Sequence, residues 1–160
     1  MNGVKLFFAA IVCLWLAAGC QQSVVPSVTI GGVVPDFLLV AVGCLSLFGN
    51  RVAGSFIGFG AGIVQGALAG ANLGAYAVSR ILAGFLTGWF NMLEFESNPA
   101  VAFFAVAAAT ILGQLLLMFA APPSQIISFL LATIGSAIYN GVLAMPLFVL
   151  LKKVIDPPTR

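Results

Sequence analysis

The side chains capable of chemistry are few, and most lie inside apolar stretches. Arg80 falls about seven residues into one such stretch, roughly 10 Å deep at 1.5 Å per helical residue, where a charge near mid-bilayer costs about 2.5 to 3.5 kcal/mol. Gln65 and Gln114 lie at about the same depth on neighbouring stretches, and Asp36 stands nearer the outer surface at the start of another. Two arrangements satisfy the guanidinium. Either these four form an intramembrane polar cluster, or Arg80 snorkels along its own stem to the outer headgroups. Asn140 precedes Pro146 on one late stretch, and the proline ring frees the carbonyl of Val142, so a kink is expected. A mid-membrane amide beside such a kink serves either a transport site or ordinary helix packing.

Other chemistry has little to draw on. The chain has no histidine and only four Asp or Glu, whereas acid–base work and metal ligation need clustered titratable groups. No catalytic residue, cofactor site or metal site is expected, and the inventory does not suggest an enzyme. Cys13, Cys20 and Cys44 lack the paired spacing of a zinc site or disulfide framework and read as small hydrophobes. A net charge of +2, scattered along the chain, gives no nucleic-acid-binding face. Of 160 residues, 62% are hydrophobic and 6% charged, against the roughly one quarter charged of a soluble domain. A soluble globular domain is excluded, and lipid is the expected solvent.

Apolar runs cover residues 4–20, 33–48, 52–70, 73–93, 100–121 and 125–151, which predicts a single all-α domain, 1–160, of about six transmembrane helices. Breakers separate them: Gly31-Gly32 with Pro35, Gly49-Asn50, Gly70-Ala71-Asn72, Ser97-Asn98-Pro99 and Pro122-Pro123-Ser124. Ser97 or Asn98 caps the fifth helix, and Asp36 opens the second with its carboxylate on the positive end of the dipole. With six crossings and a cytoplasmic N-terminus, Lys5, Arg51, Lys152, Lys153 and Arg160 are all inside and the outer loops carry no Lys or Arg. Counting the short second run as re-entrant would leave the terminal lysines outside, so parity supports six. Glu94 and Glu96 either pair with Arg51 or the terminal lysines or remain solvated. A competing reading of the start is a lipoprotein signal ending at Leu16-Ala17-Ala18-Gly19-Cys20, cleaved before an acylated Cys20.

Gly54, Gly58, Gly62, Gly66, Gly70 and Gly74 recur at every fourth position and predict a small-residue stripe along the third helix. Its partner is either the fourth helix, through Gly84 and Gly88, or another chain. Internal packing is favoured because a protein this small must bury several faces against itself.

Several signatures in order resemble one family. Val34-Pro35-Asp36-Phe37-Leu38-Leu39-Val40 follows an outer loop; Gly58-Phe59, Gly62, Gly70 and Leu73-Gly74 follow; and Asn140-Gly141-Val142-Leu143, Pro146-Leu147-Phe148 and Lys152-Lys153 close the chain. From about Gln21 to Val154 the sequence resembles the bacterial rod shape-determining protein family MreD. The family commonly carries an aspartate after the glycines of its third segment, where this chain has Gly66 beside Gln65. The resemblance implies a multi-pass protein of the bacterial cytoplasmic membrane that acts as a non-catalytic scaffold of lateral wall elongation. Its implied partners are MreC, MreB and the peptidoglycan polymerase and transpeptidase, and it implies that the first helix is retained. It further implies a fold similar to the substrate-binding subunits of energy-coupling vitamin transporters. The alternative function is therefore a small-solute-binding subunit, with Arg80, Gln65, Gln114 and Asn140 lining a pocket for an anion.

Overall fold

The computed structural model describes residues 3–70, 72–92 and 98–155. Among them all regular structure is helical: α1 (Gly3–Ser23), α2 (Val25–Val28), α3 (Phe37–Ser46), α4 (Arg51–Ala69), α5 (Leu73–Met92), α6 (Pro99–Ala120) and α7 (Ile126–Ile155). The helices α1, α4, α5, α6 and α7 are long and apolar enough to cross a membrane. Phe7, Trp15, Phe56, Phe104, Phe119 and Ile127 all point outward, a surface suited to hydrocarbon rather than water. The molecule is a multi-pass helical membrane protein.

The second apolar run departs from expectation. Only ten residues of it are helical, about 15 Å against a hydrocarbon layer of about 30 Å, so α3 by itself does not reach across. Local chemistry sets both of its ends. Gly31 and Gly32 both take positive φ, as a type I′ turn requires, and Ile30 and Val33 bond across it. Pro35 follows, and the helix begins only where the Asp36 carboxylate accepts the Leu39 N–H at 2.9 Å. Every residue from Leu38 to Ser46 is buried. The run is apolar because protein surrounds it, and hydropathy does not distinguish that from lipid.

Around α3 the other helices pack through small side chains. Leu39, Val40, Cys44 and Leu45 share a core with Ala102, Ala105, Val106 and Ala109 of α6 and with Ala144 and Phe148 of α7. Phe48, just past α3, stacks on Phe148 with ring centroids 5.0 Å apart. The helix α1 runs antiparallel to this segment: Leu6 lies against Gly49, and Gln21 bonds to Pro35 and Phe37. Asn50 and Asn98 cap α4 and α6, accepting from Ala53 and Val101 at 2.9 and 3.0 Å. Ser97, Glu94, Glu96 and Arg160 lie outside the described residues, and with them the expected acidic pairings.

Apart from the buried Arg80, the described basic residues Lys5, Arg51, Lys152 and Lys153 gather at one end. Lys5 and Val154 line a common recess, and Leu6 meets Gly49, two residues before Arg51. The opposite end holds the glycine turn before Pro35 and the α4–α5 connection.

The glycine stripe faces α5, but it is shorter than its spacing suggests. A Cβ on Gly54 would stand 2.2 Å from the Gly84 carbonyl oxygen, one on Gly58 2.0 Å from that of Arg80, and one on Gly62 2.5 Å from the Ala77 Cα. Gly66 meets Leu73 in the same way, and Gly88 meets Asn50 and Arg51. Gly70 and Gly74 are not part of this contact, since among the described residues no atom of a neighbouring element would lie within 4 Å of a Cβ at either. Gly70 instead ends α4 in the left-handed conformation at φ 66°, which a glycine adopts without steric cost. The helix stops there, and the four-residue register has no surface left to follow.

Gly58→Leu should therefore separate α4 from α5, because the obstruction is backbone and cannot rotate away. We expect a loss of at least about 1–3 kcal/mol. Gly60→Ala, on the same helix with open space at its Cβ, should be neutral. Thermal unfolding of both variants in detergent checks this, and equal stability would refute the close contact.

Candidate functional site

The α4–α5 contact places Gln65 and Arg80 side by side, and the extended stretch before α3 brings Asp36 to them. Arg80 is 1% exposed and Asp36 6%, so both charges are removed from solvent and lipid. Each arm of the guanidinium has a partner. Nε donates to Gln65 Oε1 at 2.7 Å, Nη1 to Ser79 Oγ at 3.0 Å, and Nη2 forms an ion pair with Asp36 Oδ2. Gln65 closes a ring by donating from Nε2 to the same carboxylate oxygen at 2.9 Å. The other carboxylate oxygen caps α3. Tyr76, one turn before Arg80, adds a ring face 6.0 Å from the guanidinium carbon.

Further bonds carry this network into the remaining helices. The Asp36 backbone N–H donates to Asn140 Oδ1 of α7 at 2.9 Å, and Asn140 Nδ2 donates to Thr110 Oγ1 of α6 at 3.2 Å. Ser79 Oγ donates to the Gly113 carbonyl of α6 at 3.0 Å. From α1, Gln21 Oε1 accepts the Phe37 N–H at 2.8 Å. Among the described residues, no buried side-chain nitrogen or oxygen lacks a partner. Full satisfaction is what a charge pair in this setting needs, since desolvation costs several kcal/mol per ion and the attraction offsets it only with good geometry.

Asp36, Gln65 and Arg80 thus come together, and Arg80 does not snorkel. Gln114 stays outside the hydrogen-bonded ring. It follows Gly113, whose missing side chain makes room for the guanidinium: a Cβ there would stand 3.0 Å from Arg80 Nη1. One residue further round α6, Gln114 lines a cavity of about 280 Å³ above the ion pair. Tyr76, Thr133 and Ser136 also line it, and Gly32 and Val34 put it at the end away from the lysines. Asn140 belongs to the network itself. Its expected companion Pro146 is accommodated within α7, which continues unbroken to Ile155. Sequence reasoning missed Ser79, Thr110 and Gln21; their one signal was polarity in or beside an apolar run, a property they share with Thr87 and Ser46, which bond only within their own helices.

Comparison with known protein families, curated proteins and solved structures finds no match to this chain. Its function is therefore read from its own sequence and structure.

The chemistry of the site is cohesive. The arginine and aspartate neutralise each other, and the amides and hydroxyls around them orient the pair. Removing one charge strands the other, so Arg80→Leu and Asp36→Asn should each cost about 3–5 kcal/mol, with Asn retaining the cap on Leu39. The double variant Asp36→Asn/Arg80→Leu should cost less than the sum by about 0.5–3 kcal/mol. Unfolding of the four proteins in detergent gives the coupling, and strictly additive losses would refute the pairing.

Proposed function

We propose that this chain is a non-catalytic membrane scaffold of the bacterial lateral wall-elongation machinery, of the MreD type, which maintains rod shape by binding MreC and associated wall-synthesis proteins. The observation that carries the reading is the inward consumption of polar capacity. Arg80, Asp36, Gln65 and Asn140 bond to one another and to neighbouring helices, so what the protein offers outward is a set of broad apolar helix faces. Such faces suit association with other transmembrane helices. The ordered likeness of the Pro35-Asp36, glycine and Asn140-to-Lys153 segments to the MreD family supplies the machinery's identity.

In this reading the chain crosses the cytoplasmic membrane six times, with both termini inside. The α3 segment makes the second pass as a protein-enclosed one, completed by the extended residues before Asp36 and the turn after Ser46. Broken backbone at membrane depth is tolerated when protein covers it. The gathering of Lys5, Arg51, Lys152 and Lys153 at one end supports that orientation.

One observation favours a solute-binding subunit: the cavity of about 280 Å³ beside the ion pair. Against it, the guanidinium that would attract an anion is already matched by Asp36. Depletion in the native bacterium separates the two readings. The scaffold reading expects rounded cells and co-purification of MreC in mild detergent. Cells that stay rod-shaped and a preparation without MreC would overturn it, and a stoichiometric small molecule in that preparation would establish the solute reading instead.

A further inference from the structure

Between α1 and α7 the lipid-facing side of the bundle is grooved. A recess of about 590 Å³ is walled by Lys5, Phe8, Val12, Leu151 and Val154. It continues into a second, of about 310 Å³, whose floor is Phe37, Val40 and Ala41 at the start of α3. Cys13, Leu16 and Leu147 line both, so the two form one channel. The groove exists because α1 leans on the bundle along a narrow strip, with only Leu6, Ala10 and Ala17 of its length buried. An apolar void of this size forfeits dispersion contacts unless something fills it.

Charge selects what fills it. The walls are apolar except at one end, where the exposed Lys5 borders the larger recess. Lys153, also exposed, lies one helical turn beyond Leu150, a wall residue of the smaller recess. From Lys5 to Leu16 the larger recess extends about 16 Å along α1, close to half of the roughly 30 Å hydrocarbon layer. An apolar slot one leaflet deep with cations at its mouth matches an acyl chain carrying an anionic headgroup. We propose that the α1–α7 groove is a binding site for an anionic phospholipid of the leaflet at the lysine end, its phosphate on Lys5 and Lys153 and its acyl chain lying over α3. The site requires only that the bundle is membrane-embedded, and it stands apart from the wall-elongation reading.

The full-length protein, purified in mild detergent, is offered phosphatidylglycerol and phosphatidylcholine with identical acyl chains, and retained lipid is counted by native mass spectrometry. Phosphatidylglycerol should be retained in preference, and the preference should fall about fivefold in Lys5→Gln and again in Lys5→Gln/Lys153→Gln. Val12→Trp, at an exposed wall position, should reduce retention of both lipids. Equal retention of the two lipids by the unsubstituted protein overturns the proposal. A preference untouched by the lysine replacements also overturns it, because the headgroup would then sit elsewhere. Photocrosslinking from position 12 in cells to another protein's helix, with no lipid preference in the purified chain, would assign the groove to that partner and overturn it as well.

Discussion

A full charge pair enclosed in a lipid-embedded bundle has to be neutralised and hydrogen-bonded on every side, and the rest of the structure is arranged around meeting that condition at Asp36 and Arg80. Asp36 does two things at once. One carboxylate oxygen starts α3 by capping Leu39, and the other receives Arg80 and Gln65. The backbone of the same residue is held by Asn140. The position of α3, the register of α4 against α5 and the rotation of α7 are thereby tied to a single residue. A carboxylate at that point is worth more than a generic cap, because the medium offers no water to replace it.

Close backbone approach is the second requirement, and the first depends on it. Arg80 reaches Gln65 only because Gly58 lets α4 ride directly on the Arg80 carbonyl, and it reaches Asp36 only because Gly113 leaves α6 open beside its guanidinium. The glycines thus help to position the arginine. Alanines play the same part between α3 and α6, where Ala102, Ala105 and Ala109 bring a second backbone close to the central segment. In lipid, where apolar side chains gain little by exchanging one hydrocarbon neighbour for another, such proximity is the main source of helix association.

The five long helices, the caps at Asp36 and Asn98, and the shared depth of Arg80 and Gln65 were legible in the sequence, because each depends on local chemistry or on distance along one helix. What was not legible depends on rotation and on neighbours. Gln114 has the right depth but the wrong azimuth, and a depth count does not register the 100° between it and Gly113. Gly70 and Gly74 continue a spacing beyond the helix that gave it meaning. The short α3 is hidden by its own burial, since ten residues enclosed by protein and twenty in lipid present the same run of Leu, Val and Ala. Thr110 and Asn140 lie 30 residues apart in the chain, and their meeting is a fact of tertiary structure alone.

The two ends of the bundle differ in chemistry. At one end, Tyr76, Gln114 and Ser136 surround a polar cavity over a neutral ion pair; at the other, Lys5 borders an apolar groove. The interior between them is linked by hydrogen bonds from α1 through α7, so a force applied at one helix is resisted by several others. Polar ties of this kind resist sliding and rotation more than apolar contact does, because a shift of one turn would leave buried donors and acceptors unmatched. A bundle locked in this way fits the scaffold proposed above, which requires surfaces that keep their shape. A transporter that alternates access has to break part of such a network in every cycle. Here the bonds most exposed to that demand are those of Asp36, the residue on which the others depend.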